Sequence, residues 1–96
     1  SVCGPAPFEE DVSLTGYRYG LWAGAFEFWQ TQPEESRDEL QRHFEWLAAH
    51  PHYEGFACDY DLSGRRVFLS ICGDIVVTYW PDHSVRMMQI GELANG

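Results

Sequence analysis

The chain contains no lysine: its six basic residues are all arginine and stand against fifteen acids, for a formal net charge of −9. No apolar run approaches the roughly 20 residues that a bilayer-spanning helix needs. The opening stretch SVCGPAPFEED has neither the basic segment nor the apolar segment of a signal peptide. Cysteine is scarce, and Cys3, Cys58 and Cys72 are odd in number with no C-x-x-C spacing. That excludes a disulfide framework and a zinc knuckle, and it points to reduced thiols in a cytoplasmic protein. Repeats and low-complexity segments are lacking too, so solenoids and fibrous folds are set aside.

What is present is apolar and aromatic. At 45% hydrophobic and 16% aromatic residues the chain has ample surface to offset its conformational entropy, so it is not intrinsically disordered. Its 96 residues suffice for one hydrophobic core and no second. The charge is unevenly placed. Residues 1–61 hold twelve acids against Arg18, Arg37 and Arg42, which accounts for the whole −9, while Arg65, Arg66 and Arg86 balance Asp74, Asp82 and Glu92 in the remainder. Such a chain repels nucleic acid and anionic membrane over most of its surface. Any anion-binding role must therefore sit in the C-terminal half.

Residues 1–15, with two prolines and the run Glu9-Glu10-Asp11, read as an acidic flexible extension, which leaves residues 16–93 as the folded domain. Residues 17–23 alternate as a first strand, and Phe26 to Trp29 form one or two helical turns. The spacing of Leu40, Phe44, Leu47 and Ala48 predicts an amphipathic helix over 33–50. A capping box from Thr31 to Glu34 would start it and Pro51 would stop it. Strands follow at 56–61, 65–72, 75–80 and 85–90, joined by turns at Ser63-Gly64, Gly73-Asp74 and Pro81 to Ser84. The order predicts an α+β domain: an N-terminal strand, two helices, then a three- to four-stranded antiparallel sheet with the helices on one face.

Several groups could carry chemistry. Asp82 beside His83, with Tyr79 close by, has the elements of an acid–base site, and Arg86 follows at short range. The competing reading is a turn in which the Asp82 side chain bonds nearby backbone, and it is favoured. Arg65 and Arg66 open a strand, so one guanidinium should face each side of the sheet, and Arg86 could share a face with one of them. Together they would suit a carboxylate or phosphate. Pairing with the chain's own Asp59, Asp61 or Asp74 is the favoured alternative, because surplus acid lies close in sequence. His50, His52 and Cys58 fit no zinc spacing, so no metal is expected. Trp22, Trp29, Trp46 and Trp80, with Phe26 and Phe28, read most simply as core. Trp46, beside the apolar stripe rather than on it, is the best candidate for an exposed aromatic anchor.

Several segments in order carry a resemblance. A helix ends in Ala-Ala-His50-Pro51, then come Asp61-Leu-Ser-Gly64-Arg65, Gly73, Tyr79-Trp80-Pro-Asp82-His83 and a final Val-Arg-Met-Met-Gln-Ile. Over about residues 17–92 the chain resembles the RelE/ParE superfamily of toxin-like proteins from bacterial plasmid-stabilisation and toxin–antitoxin modules. The resemblance implies a small cytoplasmic α+β protein that uses no cofactor and is wrapped by an antitoxin. RelE-type members cleave messenger RNA on the ribosome, whereas ParE-type members act on DNA gyrase. The RNA cleavers carry basic residues and often a His-Arg-x-x-x-Tyr-like C-terminal segment. Here the chain ends Gly91-Glu-Leu-Ala-Asn-Gly96, with no basic or aromatic residue. A developing phosphorane needs positive charge close by. The expectation is accordingly a ParE-like protein that binds proteins, with Arg65, Arg66, Arg86, Trp46 and Trp80 at its interfaces. A RelE-like ribonuclease using Arg65, Arg66, Arg86 and His83 is one alternative, and a non-toxic acidic interaction module of the same fold is another. An exposed sheet edge would also accommodate a homodimer.

Overall fold

Leu40, Phe44, Leu47 and Ala48 recur at helical spacing, and such a stripe requires an apolar surface to lie on. In the computed structural model, which describes residues 16–96, that surface is one face of a five-stranded sheet. The elements run β1 (Arg18–Leu21), α1 (Ala23–Gln30), α2 (Glu34–Ala49), β2 (Ala57–Tyr60), β3 (Arg66–Cys72), β4 (Ile75–Asp82) and β5 (Met87–Asn95). The expected extension, residues 1–15, lies outside the described residues. The four stripe residues are buried together with Ala25 of α1, Val77 and Tyr79 of β4, and Met88, Ile90 and Leu93 of β5. No described helix is long and apolar enough to cross a membrane.

The strand order is β1-β5-β4-β3-β2. Strands β2 to β5 form successive antiparallel pairs, as their short turns require. The expectation of a purely antiparallel sheet needs correction at β1, which lies parallel to β5 from Arg18↔Met87 to Leu21↔Ile90. After β1 the chain crosses one sheet face through both helices and begins β2 at the opposite edge. The last strand then fills the place beside β1, and its direction is set by the preceding hairpin.

Local chemistry moves several boundaries. Thr31 does not cap the second helix: its backbone N–H and its hydroxyl both donate to the Phe28 carbonyl at the end of α1, and Pro33 takes the N-cap position of α2. The expected turn at Pro81 to Ser84 falls later, over residues 83–86, because Pro81 and Asp82 continue β4. Proline is tolerated there because β3 pairs with β4 only as far as Phe68↔Tyr79, so beyond that point β4 is an edge on one side. The final strand extends to Asn95 rather than stopping at Ile90.

One polar contact bridges the two layers. His43 of α2 and Ser70 of β3, the latter 2% exposed, meet through Nε2 and Oγ at 2.8 Å. Burial pushes the His43 pKa below its ordinary value. The unfolded chain therefore takes up this proton first. The stabilisation is whole above the ordinary value of about 6.5 and is lost as pH falls towards the lower folded-state value. Thermal unfolding of His43→Gln, which retains a group that can bond Ser70, should show a smaller loss of midpoint than wild type between about pH 7.5 and pH 5.5. Equal losses in the two proteins would place the acid sensitivity elsewhere.

Candidate functional site

Alternation along the strands decides what the uncovered face presents. Phe68, Ser70 and Cys72 of β3 turn towards the helices, so Val67 and Leu69 point the other way. On β4, Tyr79 enters the core, and Trp80 emerges opposite it. The β4–β5 register shifts by one residue between Thr78↔Glu92 and Tyr79↔Ile90, which leaves Gly91 as the extra residue of a bulge. Trp80 lies directly on it. A Cβ on Gly91 would come within 2.5 Å of Trp80 Cζ3, so only glycine allows this approach.

Trp80 and Trp22 meet edge to face, with ring centroids 5.0 Å apart, and form a wall between two grooves. Trp80 is 8% exposed and Trp22 49%, so the first is the buried support and the second the accessible surface. Trp22 precedes α1 at its N-cap, and its Nε1 donates to Gln89 Oε1 at 3.1 Å. The larger groove, about 490 Å³, runs between the two tryptophans and Arg65, Arg66, Phe68, Pro81, Asp82 and Gln89. The smaller, about 270 Å³, has Val67, Leu69, Thr78 and Gly91 in its floor and Asp59, Asp61 and Glu92 around it.

Arg65 and Arg66 both border the larger groove but are held differently. The Arg65 guanidinium lies 4.6 Å from the Trp80 ring centroid, with Asp61 Oδ2 3.9 Å from its Nη1. Arg66 lies over Phe68 at 5.2 Å and approaches Glu54 at 4.0 Å. Both ion pairs are long and solvent-exposed, so each contributes little to stability. Asp61 Oδ1 accepts from the Ser63 hydroxyl, the Ser63 N–H and the Arg65 N–H at 2.6, 2.9 and 2.9 Å, which folds the turn between β2 and β3. The Ser63 hydroxyl first, then the Arg65 N–H, hold its carboxyl below the usual range. Asp82 plays the same part in the turn between β4 and β5, where it accepts from the Ser84 hydroxyl and N–H. Its carboxyl is likewise held low, chiefly by that hydroxyl.

The sequence candidates separate. Tyr79 is fully buried, its hydroxyl donates to the Tyr53 carbonyl at 3.0 Å, and burial pushes its pKa up. His83 sits in the turn after β4, in contact with the Tyr17 hydroxyl through Nδ1 and facing the His52 ring at 5.7 Å; Asp82 bonds Ser84 instead of orienting it. Arg86 ends the same turn at φ 53°, and its carbonyl accepts from the Arg18 N–H. It lines neither groove, so the strand periodicity that put it beside Arg65 or Arg66 does not apply. Trp46 is 43% exposed, packed flat on His50 and edge-on to Tyr53 on the helix side of the sheet. Trp22 and Phe26 are exposed as well, so the simplest reading of these two as core is corrected. Among the described residues no cluster of three or more His, Cys, Asp or Glu side chains is arranged to hold a metal ion. Sequence reasoning overlooked Trp22, Gln89 and Gly91. A glycine within a strand was the available signal, since it often marks a bulge or a close approach.

Neither groove is lined by histidine, cysteine or serine. The residues there offer stacking faces, charge and an apolar floor. Gly91→Ala should displace Trp80 and cost about 1–3 kcal/mol by overpacking. The readouts are a lower unfolding midpoint and altered tryptophan fluorescence, and unchanged values for both would dissociate the bulge from the placement of Trp80.

No family model matches the sequence, and neither does any curated protein. The structure is similar to a chain in the crystal structure of an archaeal RelE–RelB complex from Pyrococcus horikoshii OT3, with a TM-score of 0.64 over 82% of this chain and 93% of that one. At 15% identity this likeness is one of fold: the chain has a RelE-like α+β fold.

Proposed function

We propose that the chain is the toxin-like member of a toxin–antitoxin pair and acts by binding other proteins, ParE-like rather than as a ribonuclease. The fold supports the first half of this reading, since the similar chain comes from a complex of RelE with RelB. The observation that carries the second half is the charge of the open sheet face. Asp59, Asp61, Asp82 and Glu92 border the grooves against Arg65 and Arg66, and Arg65 is already stacked on Trp80. A phosphodiester brought there would meet more negative charge than positive, the reverse of what a developing phosphorane needs. A partner protein, in contrast, finds half-exposed Trp22 and an apolar floor. Gyrase or the ribosome is the cellular target this reading implies, with an antitoxin as the cognate partner.

A second reading has its own observation. Arg65 and Arg66 border the same groove as the accessible Trp22 ring, and an aromatic face in a groove with guanidinium groups suits stacking of a nucleobase. One experiment separates the two. The chain is expressed from an inducible promoter with and without the product of its neighbouring open reading frame, and the purified protein is then incubated with ribosome-bound messenger RNA. Protein binding predicts growth arrest relieved by co-expression, co-purification of the pair, and intact RNA. RNA cleavage that is lost in a folded Arg65→Ala, Arg66→Ala variant would establish the ribonuclease. Unaffected growth at confirmed soluble expression would favour a non-toxic interaction module.

A further inference from the structure

We infer that the smaller groove docks a basic amphipathic segment of the partner protein, its apolar side on Leu69 and the exposed Trp22 ring and its cationic side chains on Asp59 and Glu92. The inference rests on the protein-binding reading and adds the partner's chemistry and its place on the sheet. It starts from which carboxylates are committed. Asp61 and Asp82 spend their oxygens on turns, on Ser63 and the Arg65 N–H and on Ser84. The Asp59 carboxylate accepts only the N–H of its neighbour Tyr60, and the Glu92 carboxylate has neither a hydrogen bond nor an ion pair among the described residues. The arginines lie elsewhere: Arg65 on Trp80, Arg66 on Phe68 and near Glu54, Arg37 on Trp29.

The spacing of these two acids fits a chain segment. Asp59 lies on β2 and Glu92 on β5, three strand intervals or about 14 Å apart across the sheet and two residues apart along it, since Asp59 is level with Val67 and Glu92 with Thr78 and Leu69. A helix is about 10–12 Å across, so one laid between them would bring its two flanks to the two carboxylates. Lysine or arginine stems would cover the margins of the apolar floor while their charged ends reached the acids. A second copy of this chain is a poor occupant of the same place, because it brings a further net charge of −9. Polynucleotide is excluded by the same sign of charge.

The test uses the full chain and three labelled probes in fluorescence anisotropy: an amphipathic leucine–lysine peptide, its leucine–glutamate counterpart, and a single-stranded RNA oligomer. The lysine peptide should bind, more weakly as salt rises, while the other two do not. Asp59→Asn with Glu92→Gln should weaken that binding about tenfold. Glu35→Gln with Asp38→Asn, on the acidic face of α2, should leave it unchanged. Equal loss in both double variants, no loss in the groove variant, or preference for the RNA would overturn the inference. The co-purified partner then separates the two levels. If it remains bound to the Asp59, Glu92 variant in a salt-insensitive complex, protein binding stands and this docking site falls. If no partner co-purifies and growth is unaffected, the toxin–antitoxin reading falls whatever the peptide does.

Discussion

The contact of Trp80 with Gly91 is the constraint on which the open face depends. The bulge at Gly91 clears the space beneath the indole, and the alternation of β4 then sends Tyr79 into the core while Trp80 emerges on the opposite side. Each half of this pair is pinned separately, Tyr79 by the Tyr53 carbonyl and Trp80 by Gly91 below and Trp22 at its edge. Arg65 completes the arrangement by lying over the exposed side of the same ring. Two adjacent residues thus join the hydrophobic core to the binding surface, and a disturbance of one is felt at the other.

Electrostatics on this face follow from turn chemistry. Asp61 and Asp82 are held ionised by hydroxyl and backbone donors of the turns they shape, Ser63 and Arg65 in one and Ser84 in the other. Their charge therefore persists beside the grooves irrespective of any partner. Cation–π stacking of Arg65 on Trp80 keeps one guanidinium at the larger groove, which therefore has mixed charge, whereas the charged residues bordering the smaller are all acids. Turns that fix the strand register also fix the sign of the potential over the sheet.

What could be read from the sequence was whatever local periodicity encodes. The stripe Leu40, Phe44, Leu47, Ala48 and the hairpin from Gly73 to Asp74 depend on neighbours a few residues away, and both lie where expected. The parallel pairing of β1 with β5 depends on residues about seventy positions apart, and no local pattern announces it. Thr31 shows a subtler limit. Its spacing to Glu34 satisfies a capping box, yet the same hydroxyl can close the preceding helix, and the structure uses it there. At Arg86 strand periodicity was extended into what is a turn, so the expected company of three arginines separates. The smaller groove escaped notice because its maker is an absent side chain, Gly91, in a segment taken to lie beyond the last strand.

A RelE-like fold supplies a sheet with helices on one face, but it does not dictate the sign of charge on the other. Backbone pairing and the buried side of β3, β4 and β5 determine the shape, while the outward positions can carry any charge at small cost in stability. On this chain those positions include Asp59 and Glu92. Charge complementarity then acts mainly on encounter and on selection: it speeds approach of a cationic segment and raises the cost of docking an acidic one. Hydrophobic contact with Leu69 and Trp22 is indifferent to sign and would supply much of the affinity for either. An exposed apolar floor alone would invite self-association or promiscuous binding. Flanked by acids on a molecule of net charge −9, it would disfavour copies of itself and nucleic acid alike. On the proposed reading, the acidity that weighs against a ribonuclease is the same property that would select a cationic partner for this surface.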